Sequence, residues 1–397
     1  IMHDTYYIVE WMIPLSAFKY REGETKWRFN SYHFDTKDNE RNTWMNIPQN
    51  QPIFSLAYMG DMIFERPLGN SKTPISIIPY VNALVGKNYE TDKSTSDFKF
   101  GGDAKMTIGN SLNLDLTVNP DFSQVEVDQQ VTNLTRFEIS LPERRQFFIE
   151  NSDLFSNFGD NRDSNPFFSR RIGIAKDIGG VRLSGKINSN TRIGILSMQT
   201  AEDIENEIPT TNNSVFTIQQ KMFSRSNLSI MLINKQATKD YDFLANADRY
   251  NRVLGIDYNL ASADNTWVGK YFFHKSFSPE VNDKDVSAGA STQYNSRYWN
   301  FRAAAVFVGE NYRSDLGFLR RTDVFKISPK IERVFWPKQG QVQKHSISVS
   351  PFILWRPEQD WENSDYTIVT NYSADLQNTS KVEVKMFNRY THLYDTF

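Results

Sequence analysis

The chain has 397 residues, a formal net charge of -2, 39% hydrophobic residues and no cysteine. The near-neutral charge argues against a dedicated nucleic-acid binder, which carries a basic face. The absence of a long apolar run excludes a transmembrane helix, and the absence of cysteine excludes disulfides and thiolate metal sites. Aromatic residues reach 14%. That suits either the aromatic girdles of a membrane barrel or a large array of β-sandwiches.

Residues 1 to about 66 form a first unit. Tyr6 to Pro14 reads as a strand that Pro14 stops, and Lys26 to Phe34 reads as a second, alternating strand. A charged turn, Asp35 to Arg41, leads into Thr43-Trp44-Met45. Such a unit is too small to close a core by itself, so it reads as the last strands of a sandwich whose front is missing. Ile1 is no natural start and no export signal is visible, which also suggests a fragment. Arg66 to Pro74 is a linker by its turn residues.

From about residue 75 onward the chain alternates apolar and polar side chains in blocks of roughly ten. Leu112, Leu114, Leu116 and Val118 alternate with Asn113, Asp115, Thr117 and Asn119. Strands are expected near 75–85, 97–108, 111–119, 167–175, 179–188, 191–199, 214–223, 227–236, 250–260, 266–275, 286–295, 297–308, 323–334, 344–355, 365–376 and 380–390. Short connections such as Gly109-Asn110 and 188–190 alternate with longer polar ones at 200–213, 237–249 and 276–285. Period two puts one face against something greasy and the other against water. A closed sheet of about sixteen or more tilted strands spanning a bilayer satisfies this pattern and leaves no exposed edge. The expected fold is therefore all-β: a large antiparallel transmembrane barrel over 67–397, preceded by the end of a sandwich.

The rhythm breaks at 119–166, which is dense in Phe and in charges of both signs. A long connection of this kind is functional or disordered, and its Phe content argues for order. Folded inward it becomes a plug, with Asp121, Glu126, Asp128, Glu138, Glu143 and Glu150 neutralised by Arg136, Arg144 and Arg145. The same carboxylates, with Asp153, are candidate ligands for a hard cation, although none follows a known loop spacing. Acid–base work on a glycosidic bond needs two of them at a defined separation.

The five histidines show no metal-ligand spacing, and no G-x-S-x-G motif occurs. Trp27 and Trp44 are either sandwich core or platforms for sugar stacking. Trp267, Trp299, Trp336, Trp355 and Trp361 sit near strand ends, as girdle residues do.

The runs Val118-Asn119-Pro120-Asp121-Phe122-Ser123-Gln124-Val125-Glu126-Val127-Asp128, Asn133 to Glu138, and Pro142-Glu143-Arg144-Arg145-Gln146-Phe147-Phe148-Ile149-Glu150 resemble the hallmark of the DUF5916 family. Ser169 to Gly173 and Leu316 to Asp323 resemble two further stretches of that family. Residues 1–66 resemble the close of a family-9 carbohydrate-binding-like domain, through Glu10, Ile13, Pro14, Trp27 and Asn30. The resemblance implies an outer-membrane barrel found mainly in Bacteroidetes. It implies no activity.

The resulting expectation is a non-enzymatic outer-membrane protein without cofactor or metal. Its plug acts by charge lining and gating in solute or glycan-linked transport. An accessory or anchor subunit of a larger complex and a glycan-binding or glycan-active surface protein are the alternatives. The expected partners are outer-membrane lipid, glycan and other outer-membrane proteins, and not nucleic acid.

Overall fold

The computed structural model describes residues 6–15, 18, 20, 22–37, 40–48, 51–69, 75–89, 92–109, 111–120, 131–133, 137–173 and 177–392. The first unit contains β1 (Lys26–Phe29), β2 (Tyr32–Asp35), β3 (Glu40–Thr43) and β4 (Gly60–Ile63). They form two separate hairpin-sized sheets, β1 with β4 and β2 with β3.

Alternation then produces β5 (Ser76–Asn88), β6 (Lys93–Ile108) and β7 (Leu112–Val118). After an interruption that includes β8 (Ser164–Asn165) come β9 (Asp177–Lys186), β10 (Thr191–Thr200), β11 (Thr211–Met222) and β12 (Ser226–Ala237). Next are β13 (Tyr250–Ala261), β14 (Trp267–Phe277), β15 (Val286–Asn295) and β16 (Trp299–Val308). The chain continues through β17 (Phe318–Leu319), β18 (Val324–Ile327), β19 (Lys330–Phe335), β20 (Val342–Arg356), β21 (Glu362–Leu376) and β22 (Lys381–Thr391).

These strands build one antiparallel sixteen-stranded sheet, ordered by sequence from β5 to β22 apart from β8 and β17, which pair with each other. Among the described residues β5 and β22 are the two edges of that path. Connections at one end of the sheet are uniformly short: 109–111, 187–190, 223–225, 262–266, 296–298, 336–341 and 377–380. The long ones, 119–176, 201–210, 238–249, 278–285 and 309–323, all lie at the other end, with the short 89–92 and 357–361.

Register carries the alternation across strands. On one face Ile193, Ile218, Ile230, Ile256, Phe273, Ala288, Phe307 and Phe325 are successive cross-strand partners. Ile195, Phe216, Leu232 and Leu254 form the adjoining row. Many of these side chains are exposed, Ile256 at 45% and Phe273 at 52%. The opposite face carries buried polar groups, among them Asn113, Asp115, Arg182, Asp257, His274 and Ser287.

Four expectations need correction. Tyr6 to Pro14 is not a strand: only Tyr7 makes a bridge, and Trp11 and Met12 stay exposed. The strand expected over 26–34 breaks at Asn30. The Asn30 side-chain oxygen accepts from the backbone N–H of both Ser31 (3.0 Å) and Met45 (3.1 Å), which turns the chain toward a new partner. Within the stretch expected as a strand at 167–175, Ser169–Arg171 forms a single helical turn instead, bonded to Glu143 and to the Gly317 carbonyl. The strand expected at 323–334 is present but split at Ser328-Pro329, where proline has no N–H to give the ladder. Both halves pair with β16 and β20.

Candidate functional site

The interruption after β7 lies across the polar face. Residues 137–173 hold two single-turn helices, α1 (Gln146–Ile149) and α2 (Asp153–Ser156), and β8. Segments this short cannot hold their shape alone, so tertiary contacts must fix them. The main contact is apolar. Phe148, Leu154, Phe155, Phe158, Phe167 and Ile172 form one buried cluster with inward-facing Leu196, Met198, Val215, Met231, Ile233 and Val253 of β10–β13.

Polar contacts then attach the segment to one strand after another. Glu150 accepts from Lys105 of β6 and from Asn113 of β7. The Glu150 carbonyl accepts from Arg182 of β9 at 2.8 Å. Arg182 is almost fully buried and pairs with Asp115 at 2.8 Å. Asp153 meets Arg192 of β10 at 2.6 Å. Lys270 of β14 donates to the Asn157 carbonyl at 3.2 Å. The Gly159 N–H donates to Asp257 of β13 at 2.8 Å, and the other oxygen of Asp257 lies 2.7 Å from Nε2 of His274. Asp163 pairs with Lys326 of β18.

A second insertion, 309–323, locks the first in place. Its β17 pairs with β8, and Ser314 donates to the Pro166 carbonyl at 2.6 Å. Leu316 joins the apolar cluster. Gly159 sits at φ +64, and a Cβ there would run into the Ser164 carbonyl and the His274 ring. Only glycine lets the backbone approach the Asp257 carboxylate this closely.

Within the segment, Arg145 is a hub. It binds both oxygens of Glu143 (2.9 and 2.7 Å) and the carbonyls of Ile172 and Ser169 (2.7 Å each). Burial opposes ionisation of Glu143, but the Arg145 guanidinium and the Ser169 hydroxyl outweigh it and hold its pKa below the ordinary glutamate range. Beside this hub lies a cavity of about 550 Å³, whose walls include Phe148, Phe155, Asn161, Asn165 and Ser152 as well as Glu143 and Arg182. Because both charged groups are already paired, what the cavity offers a ligand is amides, hydroxyls and aromatic rings.

Residues 71–193 match the family described as a domain of unknown function (DUF5916). The match runs from the start of the large sheet through the inserted segment into β10. No curated protein matches the chain.

The expected charge network is distributed as follows. Glu143 pairs with Arg145, Glu138 with Arg171, and Glu150 with Lys105. The Arg144 backbone N–H donates to Glu143 at 3.0 Å. Asp121, Glu126, Asp128 and Arg136 lie outside the described residues. Among the described residues no group of three His, Asp or Glu is arranged to hold a metal ion. Trp27 packs against Phe18 (5.2 Å) and Phe64 (5.1 Å) as part of an aromatic core, whereas Trp44 is 58% exposed beside Phe29.

Sequence reasoning missed three parts of the site: the apolar inward positions of β10–β13, the second insertion, and the buried His274–Asp257 pair. Two of these left a signal. Ile230-Met231-Leu232-Ile233 breaks strict alternation, and Leu316 to Asp323 carries family resemblance where only a loop was expected.

Proposed function

We propose that the chain is the membrane-spanning part of a bacterial outer-membrane protein, a β-barrel constricted by residues 137–173. The observation that carries this reading is the exposed apolar face, in register from strand to strand, opposite a face with buried polar groups. A strand of twelve residues such as β13 rises roughly 40 Å, or about 30 Å at the usual barrel tilt, which matches a bilayer core. Aromatic groups flank the apolar rows. Trp267, Tyr294, Trp299 and Phe301 gather toward the short-turn end, and Phe325, Trp355 and Trp361 toward the long-loop end.

In such proteins the short turns face the periplasm. Tyr58 donates to the Asp264 carbonyl (2.8 Å) and Asn265 donates to the Gln51 side chain (3.0 Å), both at a short turn. The first unit is therefore periplasmic on this reading. Function is passage of small, uncharged polar solutes, including glycan fragments, past a constriction whose own charges are mutually paired.

Flotation with lipid vesicles tests the membrane reading, and failure to float ends it. Planar-bilayer conductance tests the constriction. The intact protein should conduct weakly, and a variant without residues 137–173 should conduct severalfold more; silence from a folded deletion variant would remove the transport role.

A second reading is favoured by the apolar packing of the segment, which resembles a core more than a gate. The protein then acts as an anchor within a larger outer-membrane assembly. Co-purification of a stoichiometric partner from native membranes supports it, and a lone protein counts against it.

A further inference from the structure

On the outward face the apolar rows end abruptly toward the long loops. Next to the row of Ile195, Phe216, Leu232 and Leu254 lies the row Ser197, Ser214, Asn234 and Arg252, which ends at Phe277. The next row out is Gln199, Asn212, Gln236 and Tyr250. At this boundary is a groove of about 450 Å³, with Ile195, Phe216, Leu232, Leu254 and Phe277 as its apolar walls and Arg252 at its edge.

Arg252 is the unusual member. It is exposed, and it donates to Asn234 Oδ1 at 2.9 Å and more weakly to Gln236 Oε1 at 3.4 Å. No carboxylate of the described residues pairs with it. Its guanidinium stands 4.4 Å over the Tyr250 ring. Arg333, at the opposite end of the same face, is by contrast covered by three rings, those of Trp299, Tyr298 and Phe335. Lys275 is diagonal to Arg252 and neutralised by Asp285 at 2.7 Å. The boundary thus presents one uncompensated cation, held by amides, over an acyl-sized apolar groove.

A charge on a lipid-facing surface is costly near the bilayer centre and tolerated at the interface. There the natural counter-ion is a phosphate, which the planar guanidinium binds through two parallel hydrogen bonds. We infer that this groove is a specific site for a phosphate-bearing lipid of the leaflet at the long-loop end. The phosphate sits on Arg252, with Asn234 and the Ser197 and Ser214 hydroxyls beside it, and an acyl chain lies along Leu232 and Leu254. The inference rests on the membrane-spanning reading above.

The test is native mass spectrometry of the full-length protein in detergent, after flotation with vesicles has been checked. The probes are dimyristoylphosphatidic acid, dimyristoylglycerol with the same chains and no phosphate, and inorganic phosphate. One phosphatidic acid should be retained, with the other two probes at least tenfold weaker. Arg252→Gln should weaken retention by about tenfold, the worth of a charge-assisted hydrogen bond. Arg252→Lys, which keeps the charge but loses the fork, should fall between, and Lys338→Gln at the opposite end should change nothing. Equal retention by wild type and Arg252→Gln, or inorganic phosphate binding as tightly as the lipid, overturns the site. Floating protein with unselective lipid binding sinks this proposal alone, whereas protein that does not float sinks the membrane reading with it.

Discussion

The inner face of the sheet divides into two regions. Under the inserted segment, β10–β13 turn Leu196, Met198, Val215, Met231, Ile233 and Val253 inward, all of them buried. At β20–β22 the corresponding inward rows are Ser346, Ser373 and Glu383, then Ser348, Asn371 and Lys385. There β22 is exposed along its whole length. The same alternation runs through both regions on the outward side. The inward residues therefore differ with what meets them, apolar where the rings of the segment pack and small or polar over β20–β22.

The contrast is broken most severely by a charge under the segment. Met231→Lys places an ammonium in the apolar cluster and should cost several kcal/mol. Thr391→Lys, on the exposed strand β22, should cost under about 0.5 kcal/mol. Urea unfolding in detergent compares them, and equal midpoints would refute the division.

Next is Arg182→Met, which leaves Asp115 buried with only Lys105 nearby, at 3.9 Å. A loss of about 3 kcal/mol is expected, much of it recovered in the double variant with Asp115→Leu. A double-mutant cycle reads the coupling. Gly159→Ala should loosen the segment by about 2 kcal/mol, through its positive φ and its clash with Ser164. Faster proteolysis within 137–173, with the sheet left intact, is the expected signature.

Acid should loosen the segment. Glu143 has a lowered folded pKa, so its contribution is complete above the ordinary glutamate range and is lost as pH falls through the folded value. Glu143→Gln should abolish that acid-dependent loosening, which hydrogen exchange at 140–170 would record. The smallest effect belongs to the first unit. Its contact turn holds Asp264, whose pKa is pushed down to about 2 by the Thr266 and Ser262 hydroxyls and the Thr266 N–H. Docking should therefore persist until pH falls toward that value. Tyr58→Phe should weaken docking by under about 1 kcal/mol, measured as cleavage of the 66–75 linker.

Much of the large sheet was legible in the sequence because its rule is local. Side chains of period two sort onto two faces whatever the partner, so the strand positions of Leu112 to Val118 and Val253 to Leu260 followed directly. Placement of the first unit was less legible, since Asn30 decides it through contacts with Met45 and Ile53, fifteen and twenty-three residues away. The site was legible as a charged, Phe-rich interruption. Its seat was not, because Phe155 and Met231 are brought together only when the segment folds back over the strands.

By itself, then, the sequence determined an all-β chain, its alternation, the asymmetry of its connections and the place where the rhythm stops. Tertiary structure alone decided which strands the segment covers. It also decided that 309–323 clamps it through β8 and β17, that His274 and Asp257 are buried partners, and that Arg252 stands at the edge of an apolar field. The physical reason is range. Alternation is set by the backbone geometry of neighbouring residues, whereas a buried ion pair or a packed ring depends on groups that only register and chain reversal bring within a few ångströms.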